Sequence, residues 1–218
     1  MNNIQRIDEI CQILESTYGS NRFGNPENPL DDLIYIIISN KSTIKNTSAA
    51  YLKLKEKFPT WNEITHQNIS DIEEILKPTG IHSKKSNYIT GSISKIKKDF
   101  GSADLDKLIT MDERDIEEYL VSLPGVSLKV ARCVMMYTMN ARVLPVDTHV
   151  FRISKRLGLT SSKRPLHAYD EIQSIVPPRL RYSYHVGCIS HGQSVCTSKR
   201  PKCSSCILSE ICTKQNIE

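Results

Sequence analysis

The chain has 218 residues, of which 39% are hydrophobic and 24% charged. That is enough apolar mass to bury a core without disulfide staples and too much for a disordered polyelectrolyte. Twenty-nine Lys and Arg against 24 Asp and Glu give a net charge of +5, which permits a polyanionic partner without demonstrating one. The longest apolar run, residues 33–38, is far below the roughly 18 residues of a membrane span. The N-terminal segment lacks the basic-then-apolar pattern of a secretory signal. The expected location is therefore intracellular, the cytoplasm or nucleoid in a prokaryote, with no membrane partner.

In chain order, Ile4, Ile7, Cys11 and Leu14 recur at helical spacing and mark one face of a first helix. Pro29 opens a second helix, with Asp31 and Asp32 in the first turn where the helix dipole favours negative charge, and the pattern runs to about Ser39. Its three consecutive isoleucines would also suit a strand, but no alternating partner strand follows. Further helical patterns fall at 49–57, 70–76, 84–99, 104–110, 113–121, 128–138, 148–157, 168–176 and 179–190. Gly80, Gly101, Gly125, Gly158 and Pro177-Pro178 punctuate them. The predicted class is all-α, many short helices on short connections, ending in an irregular cysteine-bearing tail.

Basic residues gather at 84–85, 95–98, 152–156, 163–164, 179–181 and 199–202, mostly in the second half. Taken singly, each cluster is most simply a solvated face. Of the seven cysteines, Cys11, Cys133 and Cys188 are scattered and read as small core residues. Cys196, Cys203, Cys206 and Cys212 crowd into seventeen residues. Four soft ligands in one short loop can close a tetrahedral metal site or hold an iron-sulfur cluster, and spacing alone leaves both open. Lys199, Arg200 and Lys202 lie inside that loop, where an ordered backbone would present three cations suited to phosphates.

Between residues 123 and 138 the pattern is helix, tight turn, helix, with Pro124-Gly125 forcing the turn and the second helix starting near Ser127. Unpaired N–H groups and the dipole make the start of such a helix an anion site. Lys129 falls in its first turn among Val126, Leu128 and Val130. A cation there is disfavoured by the dipole and by apolar neighbours, so the side chain is expected to lose its proton more easily and to suit Schiff-base chemistry. Standing alone, a first-turn Lys is usually an ordinary solvent-facing side chain. Eighteen positions on, Asp147 precedes another helix in the run Pro145-Val146-Asp147-Thr148-His149. An Asp there is ordinarily an N-cap. The same geometry favours a charged carboxylate that could stabilise a cationic sugar transition state. His149 reads first as a helix-start histidine and second as a base.

The ordered set LPGV-x2-K-x-A, VDTH-x-F-R and C-x6-C-x2-C-x5-C, with ISNKST at 38–43 and TGIHSKKSNYI at 79–89, resembles the endonuclease III-like DNA glycosylases of the helix-hairpin-helix superfamily. The likeness runs through nearly the whole chain. It implies two all-α lobes with a DNA-binding cleft between them. A six-helix barrel would span 25–138 with the helix-hairpin-helix at 115–138. The N-terminal helix, 1–24, would join 139–218 in a cluster lobe whose iron-sulfur loop is 196–212. The resemblance further implies a [4Fe-4S] cluster on Cys196, Cys203, Cys206 and Cys212, Lys129 as nucleophile and Asp147 as catalytic aspartate.

By the same resemblance the partner is double-stranded DNA carrying a damaged base or an abasic site, the chain is monomeric, and no nucleotide cofactor is needed. The DNA-contact set it implies is Lys41, Ile81, His82, Lys84, Gly125, Val126, Ser127, His149, Arg152, Lys199, Arg200 and Lys202. A target base must be flipped out before its sugar can be attacked, and the hole is filled by side chains. Ile81 falls on the family's wedge position and Lys41 on its gap-filling glutamine. A lysine there cannot accept hydrogen bonds, and Ser127 replaces a glycine of the hairpin pattern. The expected activity is bifunctional, a glycosylase acting on oxidised pyrimidines with β-elimination at the abasic site. The alternatives are a glycosylase removing thymine or uracil opposite guanine, and a non-catalytic helix-hairpin-helix DNA-binding protein.

Overall fold

A computed structural model describes residues 3–20 and 22–214. Among these residues ten α-helices follow in order: α1 (Asn3–Tyr18), α2 (Pro29–Ser39), α3 (Ile44–Lys57), α4 (Ile69–Leu76), α5 (His82–Phe100), α6 (Glu113–Val121), α7 (Leu128–Thr138), α8 (Thr148–Arg156), α9 (Pro165–Ile175) and α10 (Arg181–Ser194). No strand occurs among the described residues. Among the described residues no helix is long and apolar enough to cross a membrane. The chain divides into two compact units: Phe23–Ala141, and the residues up to Arg22 together with those from Arg142 onward.

The unit of residues 23–141 is built around α2. Asn28 caps it, accepting from the N–H groups of Leu30 and Asp31 at 3.0 and 3.1 Å. The helix packs against α3, α5 and α7. Every residue from Leu33 to Ile38 is buried, which explains the isoleucine run. A helix covered on most sides needs no polar face, and each buried Leu or Ile contributes about 1.5–3 kcal/mol. The two first-turn aspartates have separate fates. Asp32 is fully buried and accepts from Asn25, whereas Asp31 receives the Trp61 indole N–H at 2.6 Å and the Lys55 ammonium at 3.4 Å.

In the other unit α1 packs on α10, and α10 on α8. Ile7, Ile10, Cys11 and Leu14 are buried. Ile4, expected on that same face, is instead 54% exposed. It stands within two residues of the helix start, where the stripe has outrun the surface it packs on. A Cβ at position 187 would lie 2.7 Å from Leu14 Cβ, so Gly187 permits the close approach of α1 and α10. Cys11, Cys133 and Cys188 are buried as small core residues.

Several boundaries differ from the sequence expectation. Helix α3 begins at Ile44 rather than 49 because Thr43 caps it, accepting from the Asn46 N–H at 3.2 Å. Helix α9 begins at Pro165, a proline in the first helical turn where its missing N–H costs nothing. The stretch expected as a helix at 104–110 is a 3-10 turn, Asp106–Thr110.

Candidate functional site

The Pro124-Gly125 turn is closed by the Val126 N–H donating to Leu123 O at 3.2 Å. Gly125 has φ +75°, and a Cβ there would fall 2.2 Å from the Tyr88 ring. Both the backbone conformation and the ring of α5 therefore require glycine. Ser127 has φ −85° and ψ 166° and caps α7, its hydroxyl accepting from the Val130 N–H at 3.4 Å. That backbone needs no glycine, which accounts for the serine. The Val126 side chain is buried and its amide is taken up by the turn, and α7 begins two residues later. Lys129 occupies that first turn and is half-buried. The hairpin is clamped from behind, with Ser92 donating to Pro124 O at 3.1 Å and the Arg132 guanidinium to Glu117 of α6 at 2.6 Å.

Lys41 and Ile81 both adopt the left-handed backbone region, with φ of 54° and 44°. Asn40 has φ −57° and ψ 120°, and the Ser42 N–H donates to Ser39 O at 3.0 Å. Lys41 thus takes the position of a type II turn that normally goes to glycine. Ile81, β-branched and 41% exposed, stands between Gly80 and the start of α5. Each such residue costs about 1–3 kcal/mol and persists only where its surroundings impose it. Sequence reasoning did not find the residue between them. Lys85, grouped by sequence with Lys84 as a basic cluster, is 1% exposed and donates to Ile38 O and Thr79 O, both at 2.7 Å. Burial lowers its ammonium to about 8. Lys84 is exposed. His82 is partly exposed, and its Nδ1 lies 3.0 Å from Glu73 of α4.

In the other unit, Asp147 caps α8. Its Oδ1 accepts from the N–H groups of His149 and Val150, each at 2.8 Å. His149 Nδ1 accepts from Arg152 Nη2 at 3.1 Å, and burial, the larger influence, lowers the histidine's basicity while the nearby Asp147 raises it. A Cβ at Gly192 would meet His149 Nδ1 at 2.4 Å, so this pair closes over bare backbone. Arg152, expected at DNA, directs its guanidinium inward, to Cys196 O and Gly192 O at 3.0 Å each.

The cysteine loop has almost no regular structure beyond the 3-10 turn Cys203–Ser205. Arginines supply what its backbone lacks. Arg156, only 6% exposed, donates to Thr197 O at 2.7 Å, Ser198 O at 3.1 Å and Cys196 Sγ at 3.2 Å. Arg6 of α1 donates to Leu157 O and Ile211 O. The cluster at 152–156 is therefore scaffold in good part, whereas Lys199, Arg200 and Lys202 are exposed. All four loop cysteines are free and partly buried. Burial raises the Cys206 thiol above its ordinary value, and a backbone hydrogen bond from Leu208 opposes that rise. His191, buried and held neutral near 4 by desolvation, reaches Cys206 Sγ through Nε2 at 3.4 Å and the Tyr18 hydroxyl through Nδ1 at 2.9 Å.

Among the described residues no group of three or more His, Cys, Asp or Glu is arranged to hold a single metal ion. The donor set nonetheless fits a polynuclear cluster. An iron-sulfur cluster would take four thiolates that need not converge on a single metal ion.

Comparison with known proteins gives the lineage. The family profile described as "HhH-GPD superfamily base excision DNA repair protein" matches residues 34–178. Endonuclease III of Synechocystis sp. is 29% identical over 95% of this chain and 92% of its own length. Endonuclease III of Haemophilus influenzae is 26% identical over the full length of both. Among solved structures, a non-covalent endonuclease III-DNA complex superposes with a TM-score of 0.82 at 23% identity, covering 98% of this chain and 96% of that one. A thermostable thymine-DNA glycosylase superposes at 0.79 with 16% identity, covering 96% of each chain. With the hairpin, the capped α8 and the family profile in agreement, this chain belongs to the HhH-GPD superfamily of base excision DNA repair proteins.

Proposed function

We propose that the protein is a base excision repair DNA glycosylase with abasic-site lyase activity, acting on oxidised pyrimidines in duplex DNA. The observation that carries this reading is Lys129, a half-buried amine in the first turn of the helix that comes after the hairpin. A binding module needs the hairpin and the cations but has no use for an amine in that turn. The relatives named endonuclease III support the same reading. The resemblance to a thymine-DNA glycosylase, at 16% identity, speaks to fold alone.

In the proposed reaction the neutral Lys129 amine attacks C1′ of the extruded nucleotide. The C1′–N bond breaks, and the base leaves with the bonding pair and takes up a proton. Transfer of one amine proton to O4′ opens the sugar ring and leaves a protonated imine between Lys129 and C1′. Removal of a C2′ proton then expels the 3′ phosphate, and water releases the enzyme from the shortened strand. Asp147 supplies negative charge beside the oxocarbenium-like sugar and aids base departure, a role suited to a carboxylate fixed by two backbone N–H groups.

DNA is approached by the first turn of α7, by Lys41 and Ile81 where the stack opens, and by Lys84, Lys199, Arg200 and Lys202 through phosphates. Cys196, Cys203, Cys206 and Cys212 would hold a [4Fe-4S] cluster. Held there, it would cross-link a loop whose only helical element is one 3-10 turn, and would take no part in the steps above.

Borohydride reduction tests the chemistry without knowledge of the lesion, because it freezes the imine into a stable adduct. The natural protein on a duplex with one abasic site should give an adduct, and Lys129→Ala should lose it by on the order of a thousandfold or more while still binding. No adduct from natural protein that binds the duplex would reject the lyase.

A further inference from the structure

Lys85 has no role in the proposed reaction, yet it is among the most completely buried side chains of the protein. Burying an ammonium is costly unless its hydrogen bonds are all met, and burial alone accounts for the lowered basicity of this one. Its two acceptors are backbone carbonyls from segments far apart in sequence, Ile38 at the end of α2 and Thr79 at the end of the 3-10 turn Lys77–Thr79. Carbonyls at helix ends lack intrahelical partners and carry the negative end of the dipole. A buried cation is therefore the complementary group for two such ends at once.

Each of these carbonyls stands just ahead of a strained residue. Three residues past Ile38 the chain reaches Lys41, and two residues past Thr79 it reaches Ile81, both in the left-handed region. The two turns also lie against each other, since a Cβ at Gly80 would sit 3.6 Å from Lys41 O. The Asn46 amide adds a bond from α3 to Pro78 O at 2.9 Å. Two strained residues on neighbouring turns share one buried fastening.

The geometry points to Lys85 as a positioning residue that locks the Lys41 turn to the Ile81 turn, so that the two side chains enter opened DNA as one preformed element. This inference rests on the glycosylase reading, in which both side chains occupy space vacated by an extruded nucleotide. Preformed placement matters because a displacement of about 1 Å can cost on the order of a hundredfold in rate. Lys85 itself touches neither DNA nor the reacting sugar.

The test compares substrates that require extrusion with one that does not. Lys85→Met keeps length and apolar volume and removes the donors. Borohydride trapping is measured on an abasic site in duplex and in single-stranded DNA, and 2-aminopurine fluorescence opposite the site reports the opened pair. The ratio of duplex to single-strand trapping should fall about tenfold or more, with a matching loss of the fluorescence rise on binding. Lys85→Arg, which keeps charge and donors, should recover part of both. An equal fall on the two substrates, or an unchanged fluorescence rise, would overturn the proposal.

Should Lys85→Met not fold, a double-mutant cycle of Lys41→Ala and Ile81→Ala in the otherwise natural protein decides. Coupled losses in the fluorescence rise are expected, and losses that simply multiply would overturn the lock. Absence of any adduct with the natural protein would reject the lyase reading instead, leaving the lock to be judged on the fluorescence.

Discussion

The two units hold their candidate groups by opposite means. In residues 23–141 an aliphatic helix, α2, fills the centre, and the groups of interest are placed by backbone: a turn that demands Gly125, a capped α7, and two left-handed residues at 41 and 81. In the unit of α1 and α8–α10 the cysteine loop has little regular structure. It is held by guanidinium groups reaching carbonyls, from Arg6, Arg152 and Arg156. Where apolar mass is dense, a helical scaffold can sustain strained turns. Where the chain is irregular, its unpaired carbonyls need cations, and a run of arginines that looks like a phosphate-binding surface becomes internal framework.

Breaking the second unit should have the largest effect. Cys203→Ser removes one of four thiols from a loop with a single 3-10 turn, and we expect loss of bound iron from about four per chain with several kcal/mol of stability. Iron analysis and urea unfolding check it. A variant that loses iron yet unfolds at the same urea concentration would show that the arginine network alone holds the loop.

Asp147 sharpens the comparison, because it is a cap and a proposed catalytic group together. Asp147→Asn keeps an oxygen for the His149 and Val150 N–H groups, so stability should stay within about 0.5 kcal/mol. Excision, lacking the charge, should fall on the order of a hundredfold. Asp147→Ala should lose both, with about 1 kcal/mol of stability. Equal activity of the Asn variant and the natural protein would reduce Asp147 to a cap.

The smallest effect has the opposite sign for stability. Lys41→Gly relieves a left-handed backbone and should stabilise the protein by about 1 kcal/mol, while weakening the fluorescence response of a base opposite an abasic site. A less stable Lys41→Gly protein would mean that the lysine side chain holds its own turn.

Much of this was legible in the residues alone. Helices α2, α6 and α7 match the bounds expected from Pro29, the 113–121 pattern and the start after Ser127, since caps and apolar spacing act within a few residues. The hairpin and Asp147 were visible for the same reason. Lys85 was not: it stands beside an exposed lysine of identical type, and only contacts 47 and 6 residues away separate their fates. Arg152 and Arg156 were likewise read as surface because their partners lie about forty residues on.

Local sequence thus determined the helical class, the tight turn before Lys129, the cap before α8 and the presence of four thiols in one loop. These arise from hydrophobic period, turn chemistry and capping, whose reach is one or two helical turns. Tertiary structure alone decided which cations are framework and which face outward, and that the turns at Lys41 and Ile81 are fastened together. A charge finds its partner by distance in space, and the carbonyls that accept from Lys85 and Arg156 are brought within reach only when the helices have packed.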